Sequence, residues 1–210
     1  AEACLRHGVH YLDITGEIEV FEALAALDTP AREAGVMLLP GVGFDVVPTD
    51  CLAAHLKQRL PAATHLTLAF MGGGGFSRGT HRTMLEGLGL GGLLRRDGRI
   101  ERIPAACKTR QVDFGAGGLR TTVTIPWGDV ATAYHSTGIP NVETYAAMPR
   151  AQIRLLRLSR HLGWFFQSRP VQAWLRRKLD RDAPGPAAAT RADTRTYVWG
   201  EALAPGRVHA

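Results

Sequence analysis

The sequence predicts an α/β chain: a parallel, doubly wound sheet over residues 1–60, followed by an α+β domain with a mixed sheet (residues 61–210). Strand and helix patterns alternate through the first segment, which is the rhythm of a parallel, doubly wound sheet. In the second, short strand patterns divided by Gly and Pro follow one another closely, as in antiparallel or mixed sheets. The third observation is the run Gly41-Val42-Gly43-Phe44-Asp45-Val46-Val47-Pro48-Thr49-Asp50. It sets a glycine turn between an apolar strand and a helix N-terminus, with its unpaired N–H groups and positive dipole end. Open α/β sheets bind ligands at such corners.

In chain order, residues 1–7 read as the end of a helix that Gly8 stops. Residues 9–14 (VHYLDI) form a strand of mostly buried type. Ile18, Phe21, Leu24 and Ala25 recur at helical spacing within residues 18–34, with an interruption at Thr29-Pro30. A second apolar strand over 36–39 should lie parallel to the first, through a right-handed crossover. Residues 49–60 carry Leu52, His55, Leu56 and Leu60 along one helical stripe that stops before Pro61. Beyond it, strands are expected over 64–70, 99–103, 109–114, 119–125, 142–147 and 194–199, with helices over 79–90 and within 150–181. Residues 98–125 should belong to a sheet separate from the parallel pair. Residues 183–189 (APGPAAA) read as a linker.

Composition narrows the class. An apolar share of 45% is ordinary for a globular chain and supports a sizeable core. Cys4, Cys51 and Cys107 are scattered, odd in number and show no CxxC spacing. That pattern speaks for a reducing, cytoplasmic setting and against a disulfide framework or zinc knuckle. Ala1 stands inside a helical pattern and Ala210 just past a strand, so a fragment of a longer protein is expected. No stretch has the length and apolarity of a membrane span.

Several runs carry candidate chemistry. The corner at 41–50 reads either as a ligand contact or as a plain Gly/Pro turn. It is not a phosphate fingerprint, because Val46 stands where GxGxxG needs its third glycine. Asp13-Ile14-Thr15-Gly16-Glu17 ends the preceding strand, again where open α/β sheets place ligands. The same run also reads as a helix N-cap with Thr15 and Glu17 in the first turn. In residues 71–80, Gly74 and Gly79 have the separation of a P-loop, but Thr80 occupies the lysine position and nothing meets the β- and γ-phosphates. Ser77 and Thr80 are candidates for hydrogen-bonding a substrate from a glycine-rich wall; a turn into a helix is the alternative. Gly8 separates Cys4 and His7 from His10, so the three share no helical face and no metal site is expected. His135 and Ser136 could join an acid in a triad, yet no GxSxG elbow accompanies them.

HYLDITGE (10–17), VMLLPGVGFDVVPTDCLAAHL (36–56), SRGT (77–80), VDFG (112–115) and IPWGDVATAYHSTGIPNVETY (125–145) stand in this order. With them the chain resembles the bacterial saccharopine dehydrogenase-like oxidoreductases, a group similar to the trans-acting enoyl reductases of lipid synthesis. The resemblance implies an NAD(P)-binding Rossmann domain, here represented by its trailing part, and an α+β domain that builds the substrate cleft and often the contact of a homodimer. It implies NADP or NAD as cofactor and a small-molecule or lipid-linked substrate. Asp13, Ile14, Thr15 and Gly16 match the strand end beside the nicotinamide; Gly43, Phe44 and Asp45 match the next corner, facing the reacting carbons. The implied reaction is hydride transfer to a C=N, C=O or conjugated C=C, with Asp45 as the acid/base group. Asp45 could instead cap the helix after Pro48. The family's pyrophosphate turn has no counterpart after any strand of this sequence. A binding or scaffold protein that keeps the fold without turnover is the alternative.

Charge is concentrated. Residues 150–181 hold nine Lys/Arg and one acid, whereas the remainder holds 16 basic and 18 acidic residues. On a helical wheel Leu155, Leu158, Leu162, Phe165 and Phe166 share one face, with Arg154, Arg157, Arg160 and His161 on or towards the other. Ser168-Arg169-Pro170 should break the helix; a second amphipathic piece then sets Val171, Trp174, Leu175 and Leu179 against Arg176, Arg177 and Arg181. One reading is a pair of helices packed on the α+β core with a solvated basic face. The other is a peripheral anchor on an anionic membrane surface. Nucleic acid is not expected as a partner, because the apolar face is too continuous for a groove-facing helix and no recognition motif accompanies it.

Overall fold

The computed structural model describes residues 1–72, 91–159, 162–166, 168–182, 195–206 and 208–209. Helix α1 (Glu2–His7) ends at Gly8, whose φ of 64° closes the turn. Strands β1 (Tyr11–Leu12) and β2 (Leu38–Leu39) pair in parallel, as the sequence predicts, with Tyr11 opposite Leu38 and Leu12 opposite Leu39. Both are shorter than the apolar runs containing them. The flanking backbone is taken up by helix ends: Val9 N–H bonds Cys4 O and Val36 N–H bonds Ala31 O, each at 2.9 Å. Between the strands lie α2 (Ile18–Ala25) and α3 (Asp28–Glu33). The break falls at Ala26 and Leu27, ahead of the predicted one, because Pro30 fits the first turn of α3 and does not interrupt it.

Helix α4 (Val47–Arg59) begins with Pro48 in its first turn. Its buried stripe is Thr49, Ala53 and Leu56, with Leu52 and Leu60 at the edge; His55, expected on that stripe, is exposed. The helix packs into the core of the second sheet, so that core reaches back across residue 60.

Among the described residues that sheet has eight strands: β3 (His65–Gly72), β4 (Gly92–Arg96), β5 (Arg99–Ile103), β6 (Thr109–Asp113), β7 (Leu119–Thr124), β8 (Asn141–Ala147), β9 (Thr196–Ala204) and β10 (Val208–His209). The order β10-β9-β3-β8-β4-β5 is antiparallel except for the parallel β3–β8 pair. β8 meets β4 near its start, at Val142, and β7 at its end, over Tyr145 to Ala147. The predicted separation of residues 98–125 from the parallel pair holds, and the fold is mixed α/β as expected.

One face of the sheet is covered by α4 and by α5 (Asp129–Thr137), a helix the sequence reading missed. Leu66 and Leu68 of β3, Val142 of β8 and Ala202 of β9 bury against Ala53, Leu56 and Ala133. Here α4 crosses β9 at Gly200, where an added Cβ would lie 2.8 Å from Leu56 Cδ1. On the other face the β6–β7 hairpin folds over, with Val112 and Phe114 against Ala69 and Tyr145. Ion pairs Lys108–Glu143 and Arg110–Glu201 fasten its edge, the Arg110 guanidinium 4.7 Å above the Trp199 ring. Burial raises the Glu143 carboxyl, but Lys108 and the Tyr145 hydroxyl outweigh it and the net shift is downward. The basic segment forms α6 (Arg150–Ser159), α7 (Gly163–Phe166) and α8 (Arg169–Asp182), broken at Ser168 as predicted. Among the described residues no helix is long and apolar enough to cross a membrane.

Candidate functional site

The two strand ends expected to face a ligand come together. Asp13 Oδ1 accepts N–H bonds from Thr15 and Gly41, both 2.9 Å, and Oδ2 accepts the Tyr11 hydroxyl at 2.6 Å. Its carbonyl accepts Val42 N–H at 2.9 Å. Asp13 therefore ties β1 to the turn after β2, and its carboxylate is occupied by protein donors. Desolvation pushes this carboxyl up, but the Tyr11, Gly41 and Thr15 hydrogen bonds outweigh it and the net shift is below the usual 3.8. A depressed acid contributes stability that is present above its unfolded pKa and lost as pH falls through the folded one. Asp13→Ala should accordingly cost about 2 kcal/mol at neutral pH. In urea unfolding the gap from the wild type should narrow as pH falls below the usual carboxylate range; a pH-independent gap would place the effect elsewhere.

Glycine shapes the floor of the corner. Gly41 has φ 72°, and a Cβ there would lie 2.7 Å from the buried ring of Phe21. Gly128, from the loop before α5, sits over the same ring: a Cβ would meet Phe21 at 2.9 Å and Gly16 O at 3.1 Å. Gly43 lies against Ile14, 3.1 Å from Ile14 Cβ to an added Cβ. An added Cβ at Gly16 would stand 4.0 Å from Asp45 Oδ2. Ile14 and Phe44 are exposed, making an apolar rim.

Asp45 sits on that rim. The capping alternative is not realised, since the N-cap of α4 is Val46 and no side chain caps it. Desolvation by its surroundings raises its carboxyl. Its backbone carbonyl accepts the indole N–H of Trp127 at 2.6 Å, and that indole packs on Phe70 of β3 with ring centroids 4.7 Å apart. The indole thus fastens the corner to the mixed sheet. Trp127 and Gly128 were visible in the sequence only as part of an ordered motif; a glycine beside a tryptophan has no local signature of close approach. Thr15 does not cap α2 as expected. Its hydroxyl accepts Glu17 N–H at 3.2 Å in a turn ahead of the helix, and Glu17 is the N-cap.

The corner therefore gathers Asp13, Ile14, Thr15 and Gly16 with Gly43, Phe44 and Asp45, and adds Gly41, Trp127 and Gly128. Ser77 and Thr80 lie outside the described residues. His135 and Ser136 turn to different partners: His135 Nε2 is 3.3 Å from Glu22, and the Ser136 hydroxyl donates to Asp50 at 2.7 Å.

A scan against protein-family models finds no match, and a search of curated proteins finds none either. Among solved structures the chain is similar to apo histidine-tagged saccharopine dehydrogenase (L-Glu forming) from Saccharomyces cerevisiae, with 11% identity and a TM-score of 0.49. The likeness covers 91% of this chain and 51% of that one, so this chain spans about half the length of that enzyme. At this level the likeness carries neither fold nor chemistry over to this chain.

Proposed function

We propose that this chain forms the nicotinamide-facing part of an NAD(P)-dependent oxidoreductase. The reaction is hydride transfer to a polarised C=N, C=O or conjugated C=C of a small-molecule or lipid-linked substrate. The observation that carries the reading is the corner itself. Gly16, Gly41, Gly43 and Gly128 clear side chains from the strand ends, Ile14 and Phe44 offer apolar surface to a flat ring, and Asp45 stands beside them with a raised carboxyl. These residues fit the nicotinamide end of the cofactor. Among the described residues no GxGxxG turn follows a strand to hold its pyrophosphate.

When bound, the nicotinamide supplies or accepts the hydride. Asp45 is the group assigned the proton that goes to the substrate heteroatom or carbon, and desolvation raises its carboxyl above the usual carboxylate value, the direction such a role needs. Asp13 keeps the two strand ends in register, and Trp127 fixes the Asp45 backbone.

Titrating NADPH and NADH into the full-length gene product carrying these residues, with nicotinamide fluorescence as readout, tests the reading. Binding of one cofactor is expected, and Asp45→Asn should leave it intact while lowering turnover by about 10²–10⁴-fold. Failure of the folded protein to bind either cofactor overturns the proposal in favour of a scaffold that keeps the fold without turnover.

A further inference from the structure

We propose that the outward face of helices α6 to α8 docks on an anionic lipid surface. The inference is independent of the reaction assigned to the corner. α6 presents two apolar sides. Ile153 and Leu156 pack on Ala106 and Val123, and Arg157 Nε donates to Ala106 O at 3.0 Å, which fixes the helix to the sheet domain. The stripe that a helical wheel would place in the core is the one turned outward, with Leu155 65% and Leu158 61% exposed. After α6, Leu162 is 42% exposed, and in α7 Trp164 is 76% and Phe165 44% exposed. Trp174 of α8, 59% exposed, adds a second indole. Packing on the core alone therefore does not account for these helices.

Charge selects the occupant. The segment 150–181 has nine basic residues and one acid, and Arg150 and Arg154 are exposed beside the Leu155/Leu158 stripe. A second copy of this chain would bring the same positive surface against it, and like charges at close range oppose such a contact. A groove-facing contact with nucleic acid would leave leucine and tryptophan against phosphate. An anionic bilayer meets both features: indole and leucine side chains enter the headgroup boundary, and guanidinium groups meet lipid phosphate. None of the described helices can cross a bilayer, so the contact is interfacial.

Co-sedimentation of the protein with two kinds of vesicle tests this: phosphatidylcholine alone, and phosphatidylcholine with about one third phosphatidylglycerol. The expected result is at least about tenfold stronger partitioning to the anionic vesicles, weakening as salt is raised. Tryptophan emission should shift to the blue on binding. The substitutions W164A/W174A and R150E/R154E lie at exposed positions, and circular dichroism verifies that the fold is kept. Each pair should reduce partitioning by about tenfold, and the arginine pair should also flatten the salt dependence. Three results would overturn the proposal. One is a protein that stays in the supernatant with anionic vesicles at low salt. Another is wild-type binding by the tryptophan variant, which would mean charge adsorption without insertion. The last is a solution dimer that W164A/W174A dissociates, which would make a second copy the occupant.

Discussion

Arg95→Ala is expected to lower unfolding stability by about 3–5 kcal/mol, the range for breaking a buried charged network by removing one partner. Arg95 lies in β4 at 3% exposure. Its Nε donates to Val130 O at 2.9 Å and its Nη1 to Gly98 O at 2.8 Å. Nη2 pairs with Glu22, and the guanidinium carbon is 4.2 Å above the Tyr134 ring. One planar group thus joins α2 of the parallel unit to α5 and β4 of the mixed-sheet domain. Truncation takes one donor from each of two carbonyls and the opposite charge from Glu22. Lysine would keep the charge but cannot serve three acceptors set in a fork, so Arg95→Lys should retain only part of the stability. Glu22 is partly exposed and also faces His135, so Glu22→Gln should cost only about 1 kcal/mol. Urea midpoints at unchanged m-value measure all three variants. An Arg95→Ala loss below about 1 kcal/mol would mean that the guanidinium does not make these contacts in solution.

This network also explains what could and could not be read in the sequence. The parallel pairing of β1 with β2 was legible because two apolar runs flank a helical period, and β5 to β8 because β-branched residues are punctuated by Gly and Pro. β4 escaped because its run Gly92-Leu93-Leu94-Arg95-Arg96 ends in two arginines, which read as surface. Only the tertiary placement of Glu22, Tyr134 and two carbonyls makes Arg95 a core residue. Helix α5 escaped for a related reason. Thr132, Ser136 and Thr137 are weak helix formers, and burial of Val130, Ala131 and Ala133 overrides that preference. At the candidate site, the strand-end residues were legible from their position. The closeness of Gly128 to Phe21 was not, since the two lie far apart in sequence and a glycine leaves no apolar trace. The basic segment shows the opposite failure. Its wheel put Leu155, Leu158, Leu162, Phe165 and Phe166 on one helix face, but α6 ends at Ser159 and carries only the first two; periodicity also cannot say whether core or solvent lies beside a face, and α6 uses Ile153 and Leu156 for the core.

Asp129→Asn is expected to raise stability by about 4 kcal/mol above neutral pH and to change it little in mild acid. Asp129 opens α5 with its side chain fully buried, and among the described residues neither carboxyl oxygen makes a close hydrogen bond. Burial pushes its carboxyl up to about 7; the charge of Asp50 adds to the rise and the neighbouring Thr49 hydroxyl opposes it. That hydroxyl has a single proton and also donates to Val46 O at 3.0 Å, so its opposition is weak and the rise prevails. The sign follows from linkage. Below the usual value of 3.8 the carboxyl is protonated in both states and contributes nothing. As pH rises from there to about 7, the native state retains a proton that the unfolded chain has released, so stability falls. Above that range the full cost of a buried, unpaired charge is present. Asparagine never ionises, so it removes the charge and its repulsion by Asp50 at nearly the same volume. Urea unfolding of both proteins from pH 4 to pH 9, with about one pH unit between points, should show a falling wild-type curve and a variant curve missing that fall. Parallel curves would show that Asp129 reaches solvent or a partner in the native protein, and that the seam between α4 and α5 is not closed to water.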